Sequence, residues 1–186
     1  MHYHGEVWVP KKPANKQEAD QILEDLIGSY HEESNRSKGF YDFYQIGARY
    51  SGLHDSYDPS SNILNYKPCW LCNGSGKRPD MDCSHSRGCN GCGGTGVHLE
   101  WPTQFKFHEG DIMTVEEVEK RNPEITAYTL IIAPTGKRKR PQIFHMEQRN
   151  RKSHTFDSTE FDGKVFPYLK KLGIKDGCLI TLDYHS

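Results

Sequence analysis

Four cysteines, Cys69, Cys72, Cys89 and Cys92, lie in two copies of one octapeptide, Cys69-Trp-Leu-Cys72-Asn-Gly74-Ser-Gly76 and Cys89-Asn-Gly-Cys92-Gly-Gly94-Thr-Gly96. Their spacing, C-x2-C-x16-C-x2-C, places two soft donors on each of two tight turns, the arrangement that tetrahedral zinc requires. The glycines two and four residues after each second cysteine allow positive φ and let backbone amides point at the sulfurs. Lys67, Lys77, Arg78 and Arg87 lie near enough in sequence to offset the charge of a tetrathiolate. One Zn²⁺ is expected, and its role is structural, because four thiolates leave no open position for water. A disulfide pair or a redox dithiol is the other reading of such cysteines, and the duplication of the whole octapeptide favours metal. Cys83 and His85, between the turns, read as spectators or substitute ligands, and Cys178 as a small buried hydrophobe.

A second group of residues could handle an anion. Arg49 follows an aromatic-rich stretch and sits between Gly47 and Gly52, where a guanidinium can hold a phosphate or carboxylate. Asp183 and His185 are two apart near the end of the chain and would share one face of a strand. With Tyr44, Tyr50 and His54 they outline a candidate pocket for a nucleotide; with His54 and Asp55 they are the candidates for an acid–base pair with an anion clamp that hydrolyses a phosphodiester. Against catalysis, an arginine is more often paired with a structural carboxylate and a terminal histidine is usually solvated. No P-loop, nucleophile elbow, HExxH or Rossmann glycine pattern occurs. His2 and His4 form an H-x-H that could take a metal in vitro, but they read rather as an incidental terminal pair.

The net charge is −1, but it is unevenly spread. Residues 15–34 hold six carboxylates against one lysine, whereas residues 136–152 hold Lys137, Arg138, Lys139, Arg140, Arg149, Arg151 and Lys152 against Glu147. On a hairpin this basic cluster could grip phosphates, with Phe144 or His145 stacking on a base. Equally, it could be a solvated turn whose cations discourage edge pairing.

The octapeptide resembles the repeat of the cysteine-rich domain of DnaJ co-chaperones, which carries four copies and binds two zinc ions. The resemblance covers residues 67–97 and implies the ligand role of Cys69, Cys72, Cys89 and Cys92. It does not extend to co-chaperone activity, since no His-Pro-Asp tripeptide is present. The layout of the whole chain is also similar to small uncharacterised bacteriophage proteins. The shared elements are Ile46-Gly47-Ala48-Arg49-Tyr50-Ser51-Gly52 ahead of the hairpin and Trp101-Pro102-Thr103 after it, and this implies a viral or mobile-element origin.

The elements that must position these groups read as an α+β fold, a small mixed or antiparallel sheet with two or three helices. The zinc hairpin, 67–97, is inserted into a domain made of 1–66 and 98–186. Glu6 to Val9 reads as a short strand. Asn15 and Glu18 form a capping box ahead of a helix whose apolar positions run Ala19, Ile22, Leu23, Leu26, Ile27 and Tyr30. Phe40 to Tyr50 reads as one long strand or a strand pair, bent at Gly47 and Gly52. Thr114 and Glu117 cap a second helix that stops at Asn122-Pro123. Tyr128–Ala133 and Gln142–Met146 read as a hairpin, Cys178–Tyr184 as a final strand, and Asp157–Leu172 as a helix that Pro167 either kinks or delays.

No apolar run is long enough to span a membrane, and Met1 to Lys12 lacks the hydrophobic stretch of a secretion signal. A cytoplasmic, zinc-stabilised, non-enzymatic binding protein is therefore expected. Its partner would be a host or viral macromolecule, protein or nucleic acid, such as a defence or replication component. A nucleotide-binding, nucleotide-sequestering or phosphodiester-hydrolysing protein built around Arg49 and His185 is the alternative.

Overall fold

The computed structural model describes residues 1–56, 66–79, 88–99, 107–137, 139–146 and 161–186. The chain divides into two compact units, one formed by Met1–Tyr57 with Phe105–Ser186 and the other by Asp58–Gln104.

The larger unit is α+β. Its strands are β1 (His2–Val9), β2 (Phe43–Ile46), β5 (Ile112–Thr114), β6 (Thr129–Ile132), β7 (Gln142–His145) and β8 (Cys178–His185). They form one mixed sheet in the order β2-β8-β1-β6-β7, and β5 pairs with the lower half of the β8 edge that β2 occupies higher up. Only β1 and β6 run parallel among these pairs. At its centre β8 buries all but its last residue. The expected alternation of β8 therefore serves two covered faces rather than a wet and a dry one.

Three helices are described in this unit. In α1 (Lys16–Ile27) the apolar stripe buries Ala19, Leu23, Leu26 and Ile27. Its cap is half of the expected box: the Asn15 side chain accepts from the Glu18 amide at 2.9 Å, but the Glu18 carboxylate takes the amide of Ala14. The box at α2 (Val115–Arg121) is complete, with Thr114 and Glu117 exchanging bonds at 3.2 and 3.0 Å. Pro167 delays the third helix instead of kinking it, since α3 (Val165–Lys171) begins two residues before it and needs no amide there.

Two elements differ from the sequence reading. The first strand begins at His2, not Glu6. The aromatic stretch stops being a strand at Gly47, whose φ is +70°, and Ala48–Tyr50 and Leu53–Asp55 become 3-10 turns. Arg49 is thus carried by a turn. A Cβ at Gly47 would overlap the Asp111 carboxylate, so this glycine provides both the reversal and the room for a buried acid.

In the smaller unit β3 (Tyr66–Pro68) pairs antiparallel with β4 (Val97–Leu99). The expected hairpin boundaries, 67 and 97, fall on this ladder. Cys69, Cys72 and Cys89 are buried there, with Leu71 and Cys92 packed against them.

Candidate metal centre and a buried polar network

The two octapeptides fold as near-equal knuckles. In each, the first cysteine carbonyl accepts from a glycine amide, Gly74 to Cys69 and Gly94 to Cys89, both at 3.1 Å. The second glycine amide points at sulfur, Gly76 to Cys72 at 3.3 Å and Gly96 to Cys92 at 3.2 Å. The knuckles also hold each other, through Cys69 to Gly96 at 2.8 Å and Cys89 to Gly76 at 2.7 Å. A Cβ on Gly76 would meet the Gly94 carbonyl and one on Gly96 the Gly74 carbonyl, so the repeat keeps glycine where two backbones cross.

The four sulfurs lie within 4.8 Å of one another, with Cys69–Cys89 at 3.9 Å and Cys72–Cys92 at 3.8 Å. A tetrathiolate with metal–sulfur bonds of about 2.3 Å has edges of about 3.8 Å, whereas a disulfide needs about 2.05 Å. The cluster can hold a metal ion, and its cysteines are unpaired thiols. Burial pushes the Cys69 thiol up to about 11. At Cys92 burial acts the same way but is outweighed by the amides of Gly96 and Gly94, leaving the thiol near 7. A cation among the sulfurs supplies the charge that would make all four thiolates. Cys83, His85 and Arg87 lie outside the described residues.

The candidate pocket residues are only partly brought together. Residues 2, 4, 6 and 8 of β1 stand opposite 185, 183, 181 and 179 of β8 and share one face of the sheet. Asp183 and His185 are on this face, and Arg49, Tyr50 and His54 reach it from the turns. Tyr44 is not there: it pairs with Tyr184 and bonds Glu24 of α1 at 3.3 Å. Asp55 instead forms an ion pair with Arg121.

The sequence reading missed the members that make this face a network. Glu6 is fully buried and receives His4 Nε2 at 2.8 Å, the Thr181 hydroxyl at 3.1 Å and His54 Nε2 at 3.0 Å. His54 Nδ1 faces the Gly110 carbonyl at 2.9 Å. The Thr181 hydroxyl lies 3.0 Å from the same Nε2, so both ring nitrogens of His54 face oxygens, an arrangement that favours the imidazolium beside an ionised Glu6. Burial opposes each charge, but the His54–Glu6 attraction prevails, holding the Glu6 carboxyl well below the usual carboxylate range and raising His54.

Next along the face, buried Asp183 accepts from His2 Nδ1 at 2.8 Å and from the Arg49 amide at 3.3 Å. The Arg49 Nε is buried without a hydrogen-bond partner, 3.9 Å from the Asp183 carboxylate. Asp111, also fully buried, ties the turns down through the Ser51 hydroxyl at 2.9 Å and the amides of Gly52 at 3.0 Å and His108 at 2.9 Å. The His2-x-His4-x-Glu6 alternation was the available signal: a period of two places three ionisable groups on one side of a strand.

His2 and His4 are thus paired strand residues, not an incidental tail. Phe144 cannot stack on a base either, because it is buried against Tyr168 at a ring separation of 4.9 Å. Lys137, Lys139 and Arg140 are exposed in the connection between β6 and β7, while Arg138, Arg149, Arg151 and Lys152 lie outside the described residues.

Burial also holds His145 down, to about 4 from its ordinary 6.5. Its neutral form stabilises the fold fully above pH 6.5, and that contribution is withdrawn as the pH falls toward 4, on the order of 3 kcal/mol. Glu6, with its lowered carboxyl, adds to this acid limb as it is protonated. His54 has the opposite sign, contributing below 6.5 and losing its contribution as the pH rises through its raised value. Urea unfolding across pH should therefore show maximal stability near pH 6.5, and His145→Gln should flatten the acid limb. An acid limb unchanged in that variant would contradict the assignment.

Among the described residues, no helix is long and apolar enough to cross a membrane. Comparison with family models, with curated proteins and with solved structures returned no match.

Proposed function

We propose that this is a zinc-stabilised binding protein in which a single structural Zn²⁺ shapes the smaller unit into a recognition element for single-stranded nucleic acid. The observation that carries the reading is Trp70. It lies inside the first knuckle, between two metal-ligand cysteines, and yet is 74 % exposed. A metal knuckle holds the backbone on both sides of the indole rigid, which limits the entropy lost on stacking a base. Exposed Lys67 and Lys77 flank the knuckle, and cations beside an aromatic platform suit a phosphate backbone. The exposed Lys137, Lys139 and Arg140 give the larger unit a basic loop of its own.

Anisotropy of a labelled single-stranded RNA tests this. Trp70→Ala should weaken binding by about 5- to 100-fold, as expected for loss of one stacked base. Changing Lys137, Arg138, Lys139 and Arg140 together to Ala should lower both the affinity and its salt dependence. Binding indifferent to Trp70→Ala would overturn the role of the knuckle, and binding indifferent to the fourfold change would remove the basic loop from it.

A further inference from the structure

We propose that His2 and His185 form a general acid–base pair that cleaves RNA by transesterification, with Arg49 holding the scissile phosphate. The two residues lie opposite one another in the β1–β8 ladder, and their rings are 5.1 Å apart, edge to face. Each is oriented by a carboxylate through the same nitrogen. His2 Nδ1 is 2.8 Å from Asp183 Oδ1, and His185 Nδ1 is 2.8 Å from Asp42 Oδ1.

A carboxylate at these distances accepts, so Nδ1 carries the hydrogen in both rings. The free position is then Nε2 in each, basic when the ring is neutral and acidic when it is charged. The side chains are 25 % and 40 % exposed, enough for a substrate to reach both. Arg49 is on the same carboxylate as His2. Its Nε is buried, but the side chain as a whole is 33 % exposed, so the outer end of the guanidinium is what a phosphate oxygen can reach.

These groups are sufficient for one balanced reaction. Neutral His2 Nε2 takes the proton of a ribose 2′-hydroxyl while that oxygen attacks phosphorus. The bond from phosphorus to the 5′ oxygen breaks, and the imidazolium of His185 gives its Nε2 proton to the departing oxygen. The products are a 2′,3′-cyclic phosphate and a 5′-hydroxyl, and exchange with solvent restores the two histidines. Buried Asp183 stabilises the charge that forms on His2. His2 is assigned as base because its carboxylate is the fully buried one, and His185 as acid because its partner Asp42 is exposed. The substrate class follows from the nucleophile: a 2′-hydroxyl is already held beside its phosphorus, so a base, an acid and a cation suffice.

The charged or titratable groups around the pair are Asp183 and Arg49 beside His2, Asp42 beside His185, the N-terminal amine bonded to Ser186, and the stacked His4 and Tyr50. One base and one acid in that setting give a bell-shaped rate profile.

The test uses the full chain and a ribodinucleoside monophosphate, too small to require any surface beyond this site, with its 2′-deoxy counterpart as control. Cleavage is expected for the ribose substrate alone, yielding the 2′,3′-cyclic phosphate by mass spectrometry. His185→Gln should lower the rate by about 100-fold or more; its partner Asp42 is exposed, so the lost ion pair should cost the fold little. His2→Gln should do the same and remove the opposite limb of the pH profile. Absence of cleavage by the native chain, cleavage of the deoxy substrate, or a rate unchanged in His185→Gln prepared in parallel would each overturn the proposal. Because Trp70 has no part in a dinucleotide assay, failure here leaves the zinc-hairpin reading standing, and failure of Trp70→Ala to affect RNA binding leaves this one standing.

Discussion

Removing the metal with a strong chelator, or replacing Cys72 and Cys89 together with serine, should unfold the smaller unit and leave the six-stranded sheet intact. The expectation follows from what each core is made of. The larger unit buries Val7, Leu23, Ile27, Leu130, Ile131, Leu169, Leu179, Ile180 and Leu182 completely or nearly so. Among the described residues the smaller unit has a core of cysteines with Leu71, and its only described ladder is the three-residue pairing of β3 with β4. Cysteine sulfurs without a cation contribute little apolar burial, whereas structural zinc in comparable small modules supplies about 10 to 16 kcal/mol of apparent binding energy. Hydrogen exchange resolves the outcome. Amides of Gly76 and Gly96, which point at sulfur, should lose protection on chelation while those of β1 and β8 keep theirs. Loss of protection in both units would show that the hairpin is integral to the sheet.

The second large effect is expected at Glu6. Glu6→Gln keeps the shape of the side chain but removes the charge that balances a buried His54, and it turns an acceptor-only group into one with a donor facing His4 or His54. Breaking one side of a buried ion pair costs about 3 to 5 kcal/mol, a large share of the roughly 5 to 15 kcal/mol that holds a domain folded. The loss should appear as a lower urea midpoint with an unchanged slope. Adding His54→Gln should recover part of it, because the second change removes the stranded charge. A coupling energy near zero between the two changes would mean that the pair does not carry the charge assigned to it.

What the sequence revealed and what it concealed divide along one line, the distance over which partners are found. The knuckles were legible because each pair of ligands and its glycines lie within eight residues. The α2 cap was legible because Thr114 and Glu117 are three apart, and β6, β7 and β8 because apolar runs are bounded by turn residues. The polar face was not legible. Glu6 meets His54 and Thr181, 48 and 175 residues away, and His2 meets Asp183 across 181. With those partners unseen, His2 and His4 resemble a solvated terminus, and the strand reads as beginning only at Glu6, beside the β-branched and aromatic residues. The same blindness put Arg49 on a strand. Gly47 announced a bend, but its reason is the carboxylate of Asp111, 64 residues further along. Tyr44 lies close to Arg49 in sequence, while the pleat sends it to the opposite face.

The central claim is the metal, and metal content read against thiol state tests it most directly. The chain purified without added metal should carry one equivalent of zinc by native mass spectrometry, with Cys69, Cys72, Cys89 and Cys92 shielded from alkylation until a chelator is added. Zinc absent from the native chain, or a mass two hydrogens lower that reports a disulfide among these cysteines, would contradict it.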